Sequence, residues 1–259
     1  MTVFKRGGSM GLTDILAKVT DPYERQARLY PALLAGLPVI VMATVLYGSN
    51  SVVTAASTVA ASCGGLYLLA NIARERGRRL EPILFTSWGG KPTTQLLRHR
   101  DRNIEGPTKR RYHAFLSRMI NLPFPNKRDE ETNPVDADDI YQSAVRWLLN
   151  HTRDKSKYKM IFDENIAYGF RRNAYGLKII GMCMCIATSG WVLISEGIVK
   201  VGEESGVNFF PANASTAANI SLAVSVVMLM VWISYFTKTT IRNAAFTYAE
   251  TLLRACDKI

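Results

Sequence analysis

Cationic and planar side chains alternate in the middle of the sequence, a pattern that suits the binding of an anionic ligand that carries bases. The cations could neutralise phosphates, while the planar rings could stack on bases. The candidate ligand-binding residues are Arg98, Arg100, Arg102, Lys109, Arg110, Arg111, Tyr112 and His113, with Trp88 and His99 as further planar groups. A basic surface that is simply solvated is the alternative interpretation, and the residue pattern leaves both open.

Catalytic combinations are scarce because the chain has only 3 histidines. One spacing, Arg146 followed by His151 after four intervening residues, resembles the active motif of HEPN ribonucleases, with a capping or surface role as the alternative. The segment 89–92 (GGKP) lacks the earlier glycine of a phosphate-binding P-loop, and Pro92 replaces its Ser or Thr. We therefore expect no enzymatic activity, and a membrane-tethered ribonuclease is the alternative.

The placement of the cysteines does not indicate a metal or a cofactor. Cys183 and Cys185 are two residues apart in an apolar segment that has no nearby histidine or carboxylate. Such a pair is more typical of packing than of a soft metal site. We predict that the chain uses neither a metal nor a cofactor.

The apolar residues are concentrated in two blocks, 31–72 and 177–236, although the mean hydropathy of the whole chain is only +0.03. A helix needs about 20 apolar residues to cross a bilayer, so each block is long enough for two crossings. The predicted spans, all without charged residues, are 31–47, 52–72, 179–195 and 214–236. One such block could be a buried hairpin of a soluble protein, but two blocks in one chain favour membrane spans.

Basic residues are distributed unevenly around these spans. The central segment 73–175 holds 21 Lys and Arg against 13 Asp and Glu, a balance of +8 within the chain's net charge of +11. Residues 1–29 hold 5 basic residues and residues 237–259 hold 4, whereas the turn 48–50 holds none. Because Lys and Arg in short loops stay on the cytoplasmic side, both ends and the centre are predicted to be cytoplasmic.

The predicted fold is an all-α membrane protein in which four transmembrane helices form two hairpins, with a mainly helical domain inserted between them. Its parts are a cytoplasmic N-terminal helix at 1–29, hairpin 1 at 30–73, the basic cytoplasmic domain at 74–175, hairpin 2 at 176–236 and an amphipathic cytoplasmic tail at 237–259. The helix of the fourth span is expected to continue into that tail. No span carries a charged residue at its centre, which argues against a proton-coupled transporter.

Hydroxyl side chains recur around the second span, at Ser51, Thr54, Thr58 and Ser62. Intervals of three and four residues place them on one face of a helix, where they could line a narrow wet path. One chain has too few helices to surround such a path, so this interpretation requires a homo-oligomer. Tight packing of small side chains against a neighbouring helix is the alternative.

Four stretches, at 23–31 (YERQARLYP), 78–82 (RRLEP), 87–94 (SWGGKPTT) and 168–173 (YGFRRN), resemble those of bacterial membrane proteins encoded in anti-phage defence loci. The chain resembles in particular the transmembrane effectors of Hailong systems, over most of its length. This resemblance implies an antiviral channel that is held or triggered by a nucleic-acid oligomer made by a partner nucleotidyltransferase. We expect a homotetramer in the inner (plasma) membrane, in contact with lipid, whose opening depolarises the cell in abortive infection. A non-conducting membrane scaffold remains a further alternative.

Overall fold

The computed structural model describes residues 21–48, 52–201, 207–209 and 214–259. Most of these residues are helical. The helices are α1 (Glu24–Tyr47), α2 (Val52–Trp88), α3 (Pro92–Leu97), α4 (Gly106–Ile120), α5 (Lys127–Thr132), α6 (Pro134–His151), α7 (Lys159–Ser195), α8 (Thr216–Ser234) and α9 (Lys238–Leu253). Between α7 and α8, strands β1 (Val199–Val201) and β2 (Val207–Phe209) form an antiparallel hairpin, and a 3-10 turn at Arg254–Asp257 follows α9.

Three of the described helices, α1, α7 and α8, are long and apolar enough to cross a membrane. They cover the first and third predicted spans and most of the fourth, so the fold is compatible with the predicted all-α membrane protein. The second predicted span, 52–72, is helical as the first part of α2, but α2 is not among the helices that meet this criterion. The described residues therefore support three candidate spans rather than four.

A proline accounts for an unusual contact near the start of α1. Residues Glu24–Leu29 form a wide π-helical segment, and Pro31 follows it. Because proline has no N–H, the carbonyl of Ala27 lacks the donor that an α-helix would supply four residues later. The side chain of Asn173 on α7 takes that place, with Nδ2 donating to the Ala27 oxygen over 2.7 Å.

Helices α2 and α7 approach each other closely beside this point. The carboxylate of Glu81 accepts a hydrogen bond from the Tyr168 hydroxyl over 2.8 Å and pairs with Arg172 over 3.1 Å. Gly77 lies so near α7 that a Cβ there would be 2.3 Å from Asn173 Oδ1. We call five residues the polar junction, because they join α1, α2 and α7 through polar contacts: Ala27, Glu81, Tyr168, Arg172 and Asn173.

The shorter helices α3, α4, α5 and α6 pack together with α9, and we call these five helices the small-helix bundle. Its main core consists of buried apolar side chains from α3, α4, α6 and α9, among them Leu97, Leu116, Tyr141, Leu148 and Leu252. Two further α9 residues, Ile241 and Ala245, share a second core with Leu84 of α2 and Tyr168 of α7. Helix α9 therefore attaches the small-helix bundle to the two long helices.

The predicted continuous helix from the fourth span into the tail is wrong, because α8 ends at Ser234 and α9 begins at Lys238. Thr237 starts the new helix, since its Oγ1 accepts from the Thr240 N–H over 3.2 Å, and Thr240 Oγ1 accepts from the Thr237 N–H over 3.1 Å. Lys178 Nζ donates to the carbonyls of Ile233 and Phe236 at 3.1 and 3.0 Å, which satisfies the end of α8. Apolar periodicity alone does not reveal such a break.

Replacing Gly181 of α7 by alanine is expected to destabilise the fold. A Cβ at Gly181 would lie 2.3 Å from Cε2 of Trp232, whose ring is fully buried on α8. Overpacking of this kind costs about 1–3 kcal/mol, so the midpoint of thermal unfolding in detergent should fall. Gly190→Ala is the matched control on the same helix, because a Cβ there has open space. An equal loss in both variants would contradict the close packing of α7 on α8.

Candidate functional site

Four of the predicted ligand-binding residues meet at one pocket of about 350 Å³, which we call the arginine pocket. They are Arg102, Lys109, Arg110 and His113. The remaining lining residues are His99, Asp101, Ile104, Glu105 and Gly106. The pocket is formed by the loop 98–105, which connects α3 to α4, and by the beginning of α4. Four of the eight predicted ligand-binding residues therefore converge in space, together with His99, although they do not all play the same part.

The start of α4 adds a favourable field for an anion. Helix α4 begins at Gly106, and Glu105, the residue before it, makes no capping hydrogen bond through its side chain. Uncapped N–H groups and the positive end of the helix dipole favour negative charge. Two acidic residues, Asp101 and Glu105, also line the pocket and oppose this effect. The guanidinium groups at the rim are thus needed to make the pocket attractive to an anion.

Lys109 is part of the pocket's framework. Its Nζ donates to the carbonyls of Arg98 and Asp101 over 2.7 and 2.6 Å, and it lies 3.8 Å from Asp101 Oδ1. The side chain is buried, and this burial lowers the pKa of Lys109 below its usual range. These bonds hold the loop 98–105 in shape, so the lysine has little hydrogen-bonding capacity left for a ligand.

Arg98 is also engaged within the protein. Its Nε donates to Asp138 Oδ1 over 2.8 Å, and its Nη1 donates to the Gly89 carbonyl over 2.8 Å. The hydrogen bond to Asp138 raises the pKa of Arg98 above its usual range. Arg98 therefore ties the loop before α4 to α6 and to the residue that follows the end of α2.

The cations that remain available are Arg100, Arg102, Arg110 and Arg111. All four side chains are exposed, and those of the first three make no hydrogen bond or ion pair within the described part of the chain. Arg111 forms a looser, exposed ion pair with Asp257 over 3.4 Å. Arg102 and Arg110 line the arginine pocket, so they are the strongest candidates for contacting an anionic ligand.

The rings of Tyr112 and His113 are not placed to stack on bases, contrary to the expectation from the sequence. The Tyr112 hydroxyl donates to Asp257 over 3.2 Å, and burial raises the pKa of Tyr112 to about 12. His113 is buried, and its Nε2 donates to the Leu97 carbonyl over 2.7 Å. Its ring also packs edge-on against His99, with 5.0 Å between the centroids. Both residues therefore support α4 from inside.

Nothing in the sequence pattern indicated the role of Glu130. This buried carboxylate accepts hydrogen bonds from the His99 N–H and from the Tyr141 hydroxyl, both over 2.8 Å. It thereby fixes the loop that leads into the arginine pocket. Glu130 lies in the charged run KRDEET of α5, where nothing distinguishes it from solvated neighbours.

The predicted pore-lining residues cannot be placed by their side chains. Ser51 lies outside the described residues, and Thr54, Thr58 and Ser62 belong to the first part of α2, whose side chains also lie outside them. Their common helical face therefore stays a prediction from the sequence.

Arg146 and His151 are not brought together by any hydrogen bond or ion pair between described residues. The ring of His151 stacks on Trp147 with 3.8 Å between the centroids, and its Nδ1 lies 2.8 Å from the Trp147 carbonyl. Arg146 lines a different pocket, between α6 and the long helices, and His151 does not. The surroundings of the pair thus give no support to a shared catalytic centre.

Comparison with protein-family models, curated proteins and solved structures found no match to this chain.

The burial of His113 predicts that stability falls in acid. Loss of solvent lowers the pKa of His113 to about 4, against about 6.5 in an unfolded chain. Between these two pKa values His113 is protonated in the unfolded state but not in the folded state, so the free energy of unfolding decreases as the pH falls. The full effect is about 3 kcal/mol for one histidine. It is measured from thermal unfolding of the detergent-solubilised protein between pH 7 and pH 4.

His113→Gln is the control for this prediction, because a glutamine amide can also donate to the Leu97 carbonyl but does not titrate. We expect this variant to lose less stability over the same pH range. An identical pH dependence in both proteins would show that another group is responsible.

Proposed function

We propose that this chain is the subunit of a homo-oligomeric membrane channel that is gated by an anionic, nucleotide-derived ligand bound at the arginine pocket. In this proposal the segment 52–72 of α2 also crosses the membrane, as the second of four transmembrane spans, and the chain crosses the inner membrane as two hairpins. Both termini and the small-helix bundle face the cytoplasm. The excess of basic residues in 73–175 supports this orientation.

The observation that carries the proposal is the length of α2 and α7. Each has 37 residues in one unbroken helix. At 1.5 Å per residue, such a helix is about 55 Å long, well beyond the hydrocarbon core of about 30 Å. Each would therefore extend from the membrane into the small-helix bundle, and a displacement of one end of the helix would be transmitted to the other end.

A continuous set of contacts connects the arginine pocket to these long helices. Lys109 holds the loop 98–105, and Arg98 at its start donates to the Gly89 carbonyl just beyond the end of α2. Further along α2, Glu81 pairs with Arg172 of α7. A ligand can move a gate only if it binds one of two conformations more tightly, and these contacts provide elements that such a difference could act on.

The resemblance to anti-phage membrane effectors gives the proposal a biological setting. There the ligand would be a short single-stranded nucleic acid made by a partner nucleotidyltransferase, and an open channel would depolarise the infected cell. A tetramer is the expected assembly, with the hydroxyl face of Ser51, Thr54, Thr58 and Ser62 around the central path. The exposed arginines of the pocket support a phosphate-bearing ligand.

Neutralising the arginine pocket should weaken binding of short single-stranded DNA. In the double variant Arg102→Gln/Arg110→Gln, two exposed cations are removed without disturbing the internal bonds of Arg98 or Lys109. We expect the affinity to fall at least about tenfold, and the slope of log affinity against log salt to decrease by about 1 for each phosphate that is no longer neutralised. Fluorescence anisotropy with a labelled oligonucleotide at several salt concentrations measures both quantities.

Arg118→Gln is the matched control, since Arg118 is exposed at the opposite end of the same helix. It should bind the oligonucleotide like the wild type. Equal binding by the double variant and the wild type would rule out the arginine pocket as the ligand site.

Channel activity can be tested separately with the full chain in liposomes loaded with an ion-sensitive dye. Addition of single-stranded DNA to the face that exposes the small-helix bundle should change the ion flux of the wild type. In the double variant Arg102→Gln/Arg110→Gln, the same addition should change the ion flux less. Absence of flux under every condition would favour a non-conducting scaffold.

A further inference from the structure

A second pocket of about 220 Å³ lies where the small-helix bundle meets α2 and α7. We call it the tyrosine pocket. Its walls are mainly apolar and come from five helices, with Phe85 from α2, Pro92 from α3, Leu149 from α6, Tyr168 from α7 and Tyr248 from α9. The rings of Tyr168 and Tyr248 are parallel to within 1°. The parallel rings and the apolar side chains beside them suit the pocket to an apolar body.

The charged groups of the tyrosine pocket do not balance. Its acidic residue, Glu81, is already satisfied, because one oxygen accepts from Tyr168 and the other pairs with Arg172. Two cations also line the pocket. Lys91 donates only to the neutral side chain of Gln142, over 2.7 Å, and Arg146 is exposed without a hydrogen bond or ion pair in the described part of the chain. The lining therefore has uncompensated positive charge beside an apolar interior.

We propose that the tyrosine pocket binds a small amphiphile with one negatively charged group and an apolar body, such as a medium-chain carboxylate. The carboxylate pairs with Arg146 and Lys91, and the apolar body lies against Phe85, Tyr168 and Tyr248. This site is separate from the arginine pocket and does not depend on the proposed channel function.

The size of the tyrosine pocket limits the ligand. A volume of about 220 Å³ equals roughly seven water molecules at ~30 Å³ each, and it is smaller than the usual range of drug-sized pockets, ~300–1,000 Å³. A ligand of this size contacts α6 and α9 on one side and α2 and α7 on the other. Its binding therefore stabilises the docking of the small-helix bundle on the long helices.

Octanoate is the probe for this inference, with octan-1-ol and octylamine as matched neutral and cationic analogues. Isothermal titration calorimetry is performed on the full chain in nanodiscs, with empty nanodiscs as the blank. We expect saturable binding of octanoate, at least about tenfold weaker binding of octan-1-ol, and no saturable binding of octylamine. Equal binding of all three, or no saturable binding of octanoate, would overturn the proposal.

Variants locate the site. Arg146→Gln and Lys91→Gln should each weaken octanoate binding several-fold, because each removes one of the two cations that pair with the carboxylate. Both side chains are exposed, so neither substitution should disturb the core. Ala245→Leu, which fills the pocket from α9, should abolish binding, and size-exclusion chromatography checks that this variant is folded. Arg110→Gln, in the arginine pocket, should bind octanoate like the wild type. Loss of binding in Arg110→Gln but not in Arg146→Gln would place octanoate elsewhere and refute the assignment.

Discussion

The ion pair between Glu81 and Arg172 is the constraint on which the rest of the structure depends. Both side chains are largely removed from solvent, and burying two charges is favourable only when every oxygen and donor finds a partner. Here Tyr168 and Asn173 complete the set, and Asn173 also supplies the donor that Pro31 withholds from Ala27. Removing Glu81 would leave the buried guanidinium of Arg172 without its ion-pair partner, which is unfavourable.

This constraint determines where the two pockets lie. Because the polar junction holds α2 against α7, the end of α2 reaches the small-helix bundle at a fixed position. Gly89, just beyond α2, then accepts from Arg98 at the start of the loop that shapes the arginine pocket. The tyrosine pocket lies directly beside the junction, since Glu81 and Tyr168 line it. The tyrosine pocket therefore contacts α2 and α7 directly, whereas the arginine pocket is linked to the end of α2 through Arg98.

Features that depend on neighbours in sequence could be predicted, whereas those that depend on distant partners could not. Proline at the first turn of α4 and the apolar period of α6 are local features typical of helices, and both segments are helical. The burial of Tyr112 and His113 depends on Asp257 and Leu97, which lie 145 and 16 residues away in sequence. No local pattern carries that information, so the sequence alone does not distinguish the residues that support α4 from those that face a ligand.

The basic residues of the loop 98–105 and of α4 form two groups that contribute differently to binding. Lys109 and Arg98 use their charges to hold the loop 98–105, and the exposed arginines extend from that held loop and from α4. A site built this way loses little conformational freedom in its backbone when a ligand arrives, so more of the interaction energy remains as affinity. Removing an internal cation would therefore deform the arginine pocket, whereas removing an exposed cation would only reduce the positive electrostatic potential of the pocket. The same sequence signal thus encodes both the framework of the pocket and its charge.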